Sequence, residues 1–365
     1  MKHLIIHIAI ISLSFTSCER EIDIIPDAQE SMLIMNAQLL AESNENVVYL
    51  HLSEGNHIGT LSEGTLTLYV NGEAVESPTA LLPTDIIPRK DNQTPSTYEW
   101  LLKDINYKKF RLTTVLHPGD QVRLEATAEN GKYHAEAETV VPNPVNPIQV
   151  DTCSVQIRQF GSMRRYRRLL ITLQDRPNEK NYYRLEVSNT FRAHSEYYAI
   201  CYDQDGNPLT DEEGFYVTTL KDTIVDYTSY DLINREDIIL TDGHTATDQD
   251  EENALVPYID NQYNIFTDAR FTDYSTTLKV YNDLILPEYT YTDYEGDYRP
   301  LRITVRILSL TENYYRYLQA LNCLDDDDYN DTLMEPISLP NNVENGLGFV
   351  TVSAYTEVCL QLAEE

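Results

Sequence analysis

Positive charge is scarce in this chain: 27 Lys and Arg stand against 59 Asp and Glu, a formal net charge of −32. Such a surface repels phosphate backbones and anionic headgroups, which excludes nucleic acid as a partner. Long apolar runs are missing as well. Beyond residue 15 no stretch approaches 18 consecutive apolar residues, the signal of a spanning helix. The five cysteines are irregularly spaced with no CxxC pair, so a zinc site has little support. No GxSxG, no SxxK and no Cys/His signature occurs, so no nucleophile is placed for covalent catalysis. Strands and helices do not alternate as βαβ units, and no internal repeat is detectable.

What is present begins with an address. Met1-Lys2-His3 is short and positive, and Leu4–Phe15 is apolar apart from His7 and two serines. Those twelve residues are too few to cross a bilayer, which takes roughly 20 as a helix, but they fit a signal-peptide core. Phe15-Thr16-Ser17-Cys18 follows, with small residues before the cysteine as a lipoprotein signal peptidase requires. Phe15 stands where leucine is more usual. An ordinary secretory peptide with a chance cysteine is the alternative. We therefore expect residues 1–17 to be removed and Cys18 to carry lipid, whose chains each bury about 0.8 kcal/mol per methylene. Residues 18–30, acidic and interrupted by Pro26, read as a tether.

The apolar fraction of 42% supports sizeable cores, and the remaining length suits two domains. Strand signals dominate. Val122, Leu124 and Ala126 alternate with Arg123, Glu125 and Thr127, then Asn130-Gly131 offers a type I′ turn before Tyr133, Ala135 and Ala137. Thr65–Val70, Asn71-Gly72 and Glu73–Val75 repeat the pattern, with further strands at Leu33–Ala37 and Val47–Leu52. Residues 31–142 are expected to form an immunoglobulin-like β-sandwich. Pro142, Pro144 and Pro147 then favour an extended linker over 143–148. Residues 149–365 are expected to form a larger antiparallel β-sandwich or barrel-like domain. Its strands fall at Leu169–Leu173, Tyr182–Val187, Glu196–Tyr202, Phe215–Leu220, Leu278–Tyr281, Leu301–Leu310, Leu347–Tyr355 and Glu357–Leu362. Tyr314, Tyr317, Leu318, Leu321 and Leu324 recur at helical spacing after a Thr311 cap, so one short helix is expected there. The fold class is all-β.

Chemistry-bearing clusters are few. Cys153, Cys201, Cys323 and Cys359 permit one or two disulfides, and buried free thiols serve the same positions equally well. His51 and His57 are the closest useful histidine pair but read as loop or strand-end residues. Asp203-Gln204-Asp205-Gly206-Asn207 carries hard oxygens, yet its glycine comes too early for an EF-hand and a hairpin turn explains it better. Asp248–Glu252 and Asp325–Asp328 read as solvated charge runs rather than calcium sites. With 59 acids, accidental carboxylate pairs abound, and none is singled out for glycoside hydrolysis. Arg164-Arg165-Tyr166-Arg167-Arg168 is a basic island expected to pair with surface acids. Eleven of the 27 tyrosines lie between Tyr258 and Tyr317, where they suit half-buried strand faces or a surface that contacts sugars, peptides or proteins. No cofactor and no metal is expected.

The C-terminal region carries a resemblance. Leu310-Thr311-Glu312-Asn313-Tyr314-Tyr315-Arg316-Tyr317-Leu318 is followed by Glu335-Pro336-Ile337 and by Asn341-Asn342-Val343-Glu344-Asn345-Gly346-Leu347-Gly348-Phe349. This resembles the closing signature of a Bacteroidota surface-lipoprotein family, domain of unknown function 4249. Pro118-Gly119-Asp120 through Pro142 and Cys18-Glu19-Arg20-Glu21-Ile22-Asp23 resemble its earlier hairpin and its N-terminus, while about 190–300 matches only loosely. None of these motifs is catalytic. The resemblance implies an outer-membrane lipoprotein at the cell surface, a non-enzymatic accessory to a TonB-dependent receptor in nutrient uptake. A surface hydrolase of peptide or glycan and a structural or adhesive sandwich protein are the rival expectations.

Overall fold

The computed structural model describes residues 30–55, 57–81, 106–159, 162–201, 203, 208–211, 214–230, 232–233, 237–241, 261–282, 299–324 and 337–361. The first half contributes β1 (Met32–Leu40), β2 (Asn46–Glu54), β3 (His57–Gly59), β4 (Gly64–Val70), β5 (Glu73–Glu76), β6 (Lys108–Leu112), β7 (Gln121–Ala128) and β8 (Tyr133–Val140). The second adds β9 (Gln149–Gln159), β10 (Ser162–Gln174), β11 (Tyr182–Ile200), β12 (Thr218–Tyr230), β13 (Ile265–Thr267), β14 (Ser275–Asn282) and β15 (Arg299–Leu310). Helix α1 (Glu312–Leu324), β16 (Val343–Glu344) and β17 (Val350–Gln361) close the chain. The fold is all-β, as the alternation predicts, and among the described residues no sheet closes into a barrel.

In the first half, alternation turns directly into two layers. β1 buries Leu33, Met35, Ala37 and Leu39, and β2 buries Val48, Leu50 and Leu52, on one face of a sheet. These pack against Leu66 and Leu68 of β4 and Val122, Leu124 and Ala126 of β7, which belong to the five-stranded sheet β16-β8-β7-β4-β5. Period-2 patterning of two sheets facing one core is the sandwich arrangement. Asn71 and Gly72 both take positive φ, at 53° and 86°, and join Val70 to Glu73 as a two-residue hairpin turn. The Asn130-Gly131 turn is longer than expected. Ala128 pairs with Tyr133, so the loop has four residues, and Glu129 also takes positive φ.

In the second half, β15 buries Ile303, Val305 and Ile307 against Leu185, Val187, Leu169, Ile171 and Leu278. The sheet β14-β10-β9 supplies the opposite layer. β11 is a single 19-residue strand that unites two segments read separately from the sequence; no Gly or Pro interrupts it, and one register shift at Thr190/Phe191 absorbs the twist. Phe215 and Tyr216 precede β12 rather than opening it, and both are exposed. β17 likewise fuses two expected strands into one.

That last strand ties the halves together. Its first residues run parallel to β1, with Ala37 opposite Val350 and Leu40 opposite Ser353, and its remainder runs antiparallel to β15. The result is a nine-stranded sheet whose main path is β12-β11-β15-β17-β1-β2-β3. Val343, Val350, Val352 and Ala354 belong to the first core, so the chain crosses at 143–148 and returns at its end. The Pro-rich crossing is itself packed: Val145 and Ile148 lie in the second core.

Candidate functional site

Where β17 joins β1, helix α1 comes to lie beside the outer face of the first sheet. The helix starts where Thr311 Oγ1 accepts the Tyr314 N–H at 3.2 Å, and Arg316 reaches back to Glu312 at 2.6 Å. Its apolar stripe, Tyr314 and Leu318, packs on Leu308, Leu310, Tyr182 and Phe349. Tyr317 stacks parallel on Phe349, ring centres 4.3 Å apart at 7°. Tyr314 donates its hydroxyl to Gln38 Oε1 at 3.1 Å, and the Phe349 N–H donates to Asn36 Oδ1 at 3.0 Å.

Between these aromatics and β1–β2 runs a groove of about 410 Å³, lined among others by Asn36, Gln38, Asn46, Tyr49, Tyr317 and Phe349. Asn46, buried at 4%, holds one end by bonding both the N–H and the carbonyl of Leu40, at 2.8 and 2.9 Å. Tyr49 extends the wall edge-on to Tyr107 at 5.6 Å, with the Lys109 ammonium 5.7 Å from its ring. Burial raises the Tyr317 phenol above its ordinary pKa, so the ring remains neutral and amphipathic at physiological pH. Aromatic faces beside side-chain amides are the composition of a binding surface for ring-bearing or extended ligands.

A second cavity, about 450 Å³, is lined by Asp175, Glu179, Asp268, Phe271, Asp273 and Tyr274. Asp175 is 4% exposed and accepts the hydroxyl of fully buried Tyr183. Asp268, in the short 3-10 turn after β13, is held above the usual carboxylate range by burial and by its hydrogen bond with Asp175, while the Asn181 N–H at 2.9 Å pulls the other way. Burial and Asp175 also push the Tyr183 phenol up. A neighbouring carboxyl disfavours the ionised form of Asp268.

The structure disperses most residues singled out from sequence. His51 lies on β2 against Tyr107 at 5.4 Å with its pKa lowered by burial, while exposed His57 faces Glu54 at 3.5 Å. The four described cysteines are free, the thiol alternative rather than the disulfide one, but they are not buried: Cys153 and Cys201 are half-buried and Cys323 and Cys359 exposed. The basic island lies on β10, with Tyr166 buried against Ile157 and Tyr281. Among the described residues no carboxylate comes within ion-pair distance of Arg165, Arg167 or Arg168, so the expected surface pairing is not formed there. Of the Tyr-rich stretch, Tyr314, Tyr315 and Tyr317 build the helix seam, whereas Tyr258, Tyr289, Tyr291, Tyr294 and Tyr298 lie outside the described residues. Cys18, Asp248–Glu252, Gln204–Asn207 and Asp325–Asp328 also lie outside them. Asn36, Gln38 and Tyr49 were invisible as site residues because only the β17–β1 pairing sets them beside α1.

Among curated proteins none matches this chain. A family profile, in contrast, matches residues 19–358, nearly the whole sequence after Cys18. The chain belongs to the family described as Domain of unknown function (DUF4249).

Proposed function

We propose that the mature protein is a non-enzymatic accessory of a TonB-dependent nutrient-uptake system, lipid-anchored through Cys18 at the outer surface of a bacterial outer membrane. The observation that carries this reading is the groove between β1–β2 and α1. It combines Tyr49, Tyr317 and Phe349 with the amides of Asn36, Gln38 and Asn46, a lining made for holding a ligand or partner segment. The apolar run ending at Cys18 and the acidic residues after it support the anchor and the surface location. Membership of the family supports the pairing with a receptor by analogy with the resemblance drawn above.

The test is co-purification from detergent-solubilised outer membrane, comparing wild type with Tyr49→Ala. Recovery with a TonB-dependent receptor, lost in the variant, supports the reading; recovery of the wild type alone overturns it. Cys18→Ala should abolish labelling by radioactive palmitate, and persistent labelling would refute the anchor. A surface hydrolase is the second reading, favoured by the Asp175–Asp268 carboxyl pair beside its cavity. Release of small products from mixed peptides or glycans, lost in Asp268→Asn, would promote it.

A further inference from the structure

The outer face of β12-β11-β15-β17 changes character along its length. At one end Leu308, Leu310 and Tyr182 are covered by α1. Next comes a charged row in which Arg306 lies between Glu186 and Glu357, at 4.0 and 2.8 Å, and Arg184 approaches Glu186 at 3.6 Å. Beyond it the cross-strand registers set two polar rows, Tyr230-Ser188-Thr304-Cys359 and Thr228-Thr190-Arg302-Gln361. All of these polar residues but Gln361, together with Glu186, Arg306 and Glu357, line a cavity of about 240 Å³.

Arg302 is the odd member. Acids outnumber bases 59 to 27 in this chain, yet among the described residues no carboxylate pairs with it. Its Nε donates to Thr190 Oγ1 at 3.3 Å, which orients the guanidinium and leaves both Nη groups uncommitted. Ser188, Thr228, Tyr230 and Thr304 line the same cavity and bring their hydroxyls to it. A guanidinium held at Nε presents a planar fork that matches one carboxylate through two parallel N–H···O bonds. Glu186 and Glu357 also line the cavity, so a dianionic phosphate is disfavoured there and a single negative charge is not. The volume, below the roughly 300–1,000 Å³ of drug-sized pockets, suits one ring or one residue.

We propose that this face is a binding site for a ligand carrying one carboxylate, gripped end-on by Arg302 and ringed by the Ser/Thr/Tyr hydroxyls. The site is separate from the groove beside α1 and does not depend on it. Two sources supply this chemistry: an acidic sugar or the C-terminus of a peptide.

Calorimetric titration of the full mature chain in detergent distinguishes them, using glucuronate against glucose and dialanine against its C-terminal amide. At least one carboxylate probe should bind tenfold or more tightly than its neutral counterpart. Preference in the first pair alone assigns an acidic sugar, and in the second alone a peptide terminus. Arg302→Gln should erase the preference, and Arg302→Lys, which keeps the charge but not the fork, should weaken it at least threefold. Arg302 is exposed, so both variants should unfold at the wild-type temperature, which shows that the fold survives. Absence of binding by either carboxylate, equal binding of charged and neutral probes, or a preference that survives Arg302→Gln would overturn the site.

Discussion

Gly348 lies so close to β1 that a Cβ added to it would sit 2.2 Å from the Met35 carbonyl oxygen. Its φ of +119° is also one that L side chains rarely adopt. Gly346, two residues earlier, leaves only 2.6 Å to the Leu33 carbonyl. Leu347, between them, exchanges backbone hydrogen bonds with β1: its N–H donates to Leu33 and its carbonyl accepts from Met35, at 2.9 and 2.8 Å. The Asn-Gly-x-Gly-aromatic motif is therefore the device that threads the last strand into the first sheet. Gly348→Ala combines overpacking with backbone strain and should cost roughly 2–5 kcal/mol, read as a lower urea midpoint. A midpoint within error of wild type would show that the seam is looser than this.

Asp268→Asn tests the raised carboxyl. A carboxyl whose folded pKa is raised binds more protons in the native state than in the unfolded chain. Its contribution is thus complete below the unfolded value, about 3.9, and is lost as pH rises through the folded pKa. Asparagine can still accept from the Asn181 N–H and donate to Asp175. The variant should therefore be at least as stable as wild type at pH 7, and its unfolding temperature should change less between pH 4 and 6. An unchanged pH profile would mean the two carboxyls are not coupled.

Tyr317→Ala removes one of two stacked rings at the helix seam. Loss of that stack and of half-buried area should destabilise the protein by roughly 1–3 kcal/mol at an unaltered m-value. An m-value that falls would indicate that α1 detaches as a unit.

Asn46→Ala strips the Leu40 N–H and carbonyl of their partners at the turn between β1 and β2. Leaving these groups unsatisfied should cost about 1–3 kcal/mol in equilibrium unfolding. A neutral result would show that water replaces the amide.

All four described cysteines should react with iodoacetamide in the denatured, unreduced protein. In the native protein Cys323 and Cys359 should react first, because both are exposed. Mass spectrometry decides the matter, and a species two mass units light in any thiol pair would reinstate a disulfide.

The sequence by itself determined the local structure. Alternation at Val122, Leu124 and Ala126, the turn at Asn71-Gly72 and the helix beginning at Thr311 all follow from periods and dihedral preferences that act within a few residues. It also carried the family, since the Asn-Gly-x-Gly motif is contiguous. Only the tertiary structure decided the parallel pairing of β17 with β1, and with it the groove between Tyr49 and Tyr317. The same holds for the cavity that brings Asp175 and Asp268 together and for the row that leaves Arg302 without an ion-pair partner among the described carboxylates. These depend on which strands become neighbours, a choice made by burying whole faces against one another. A strand's own alternation marks its buried face but not the partner that will cover it.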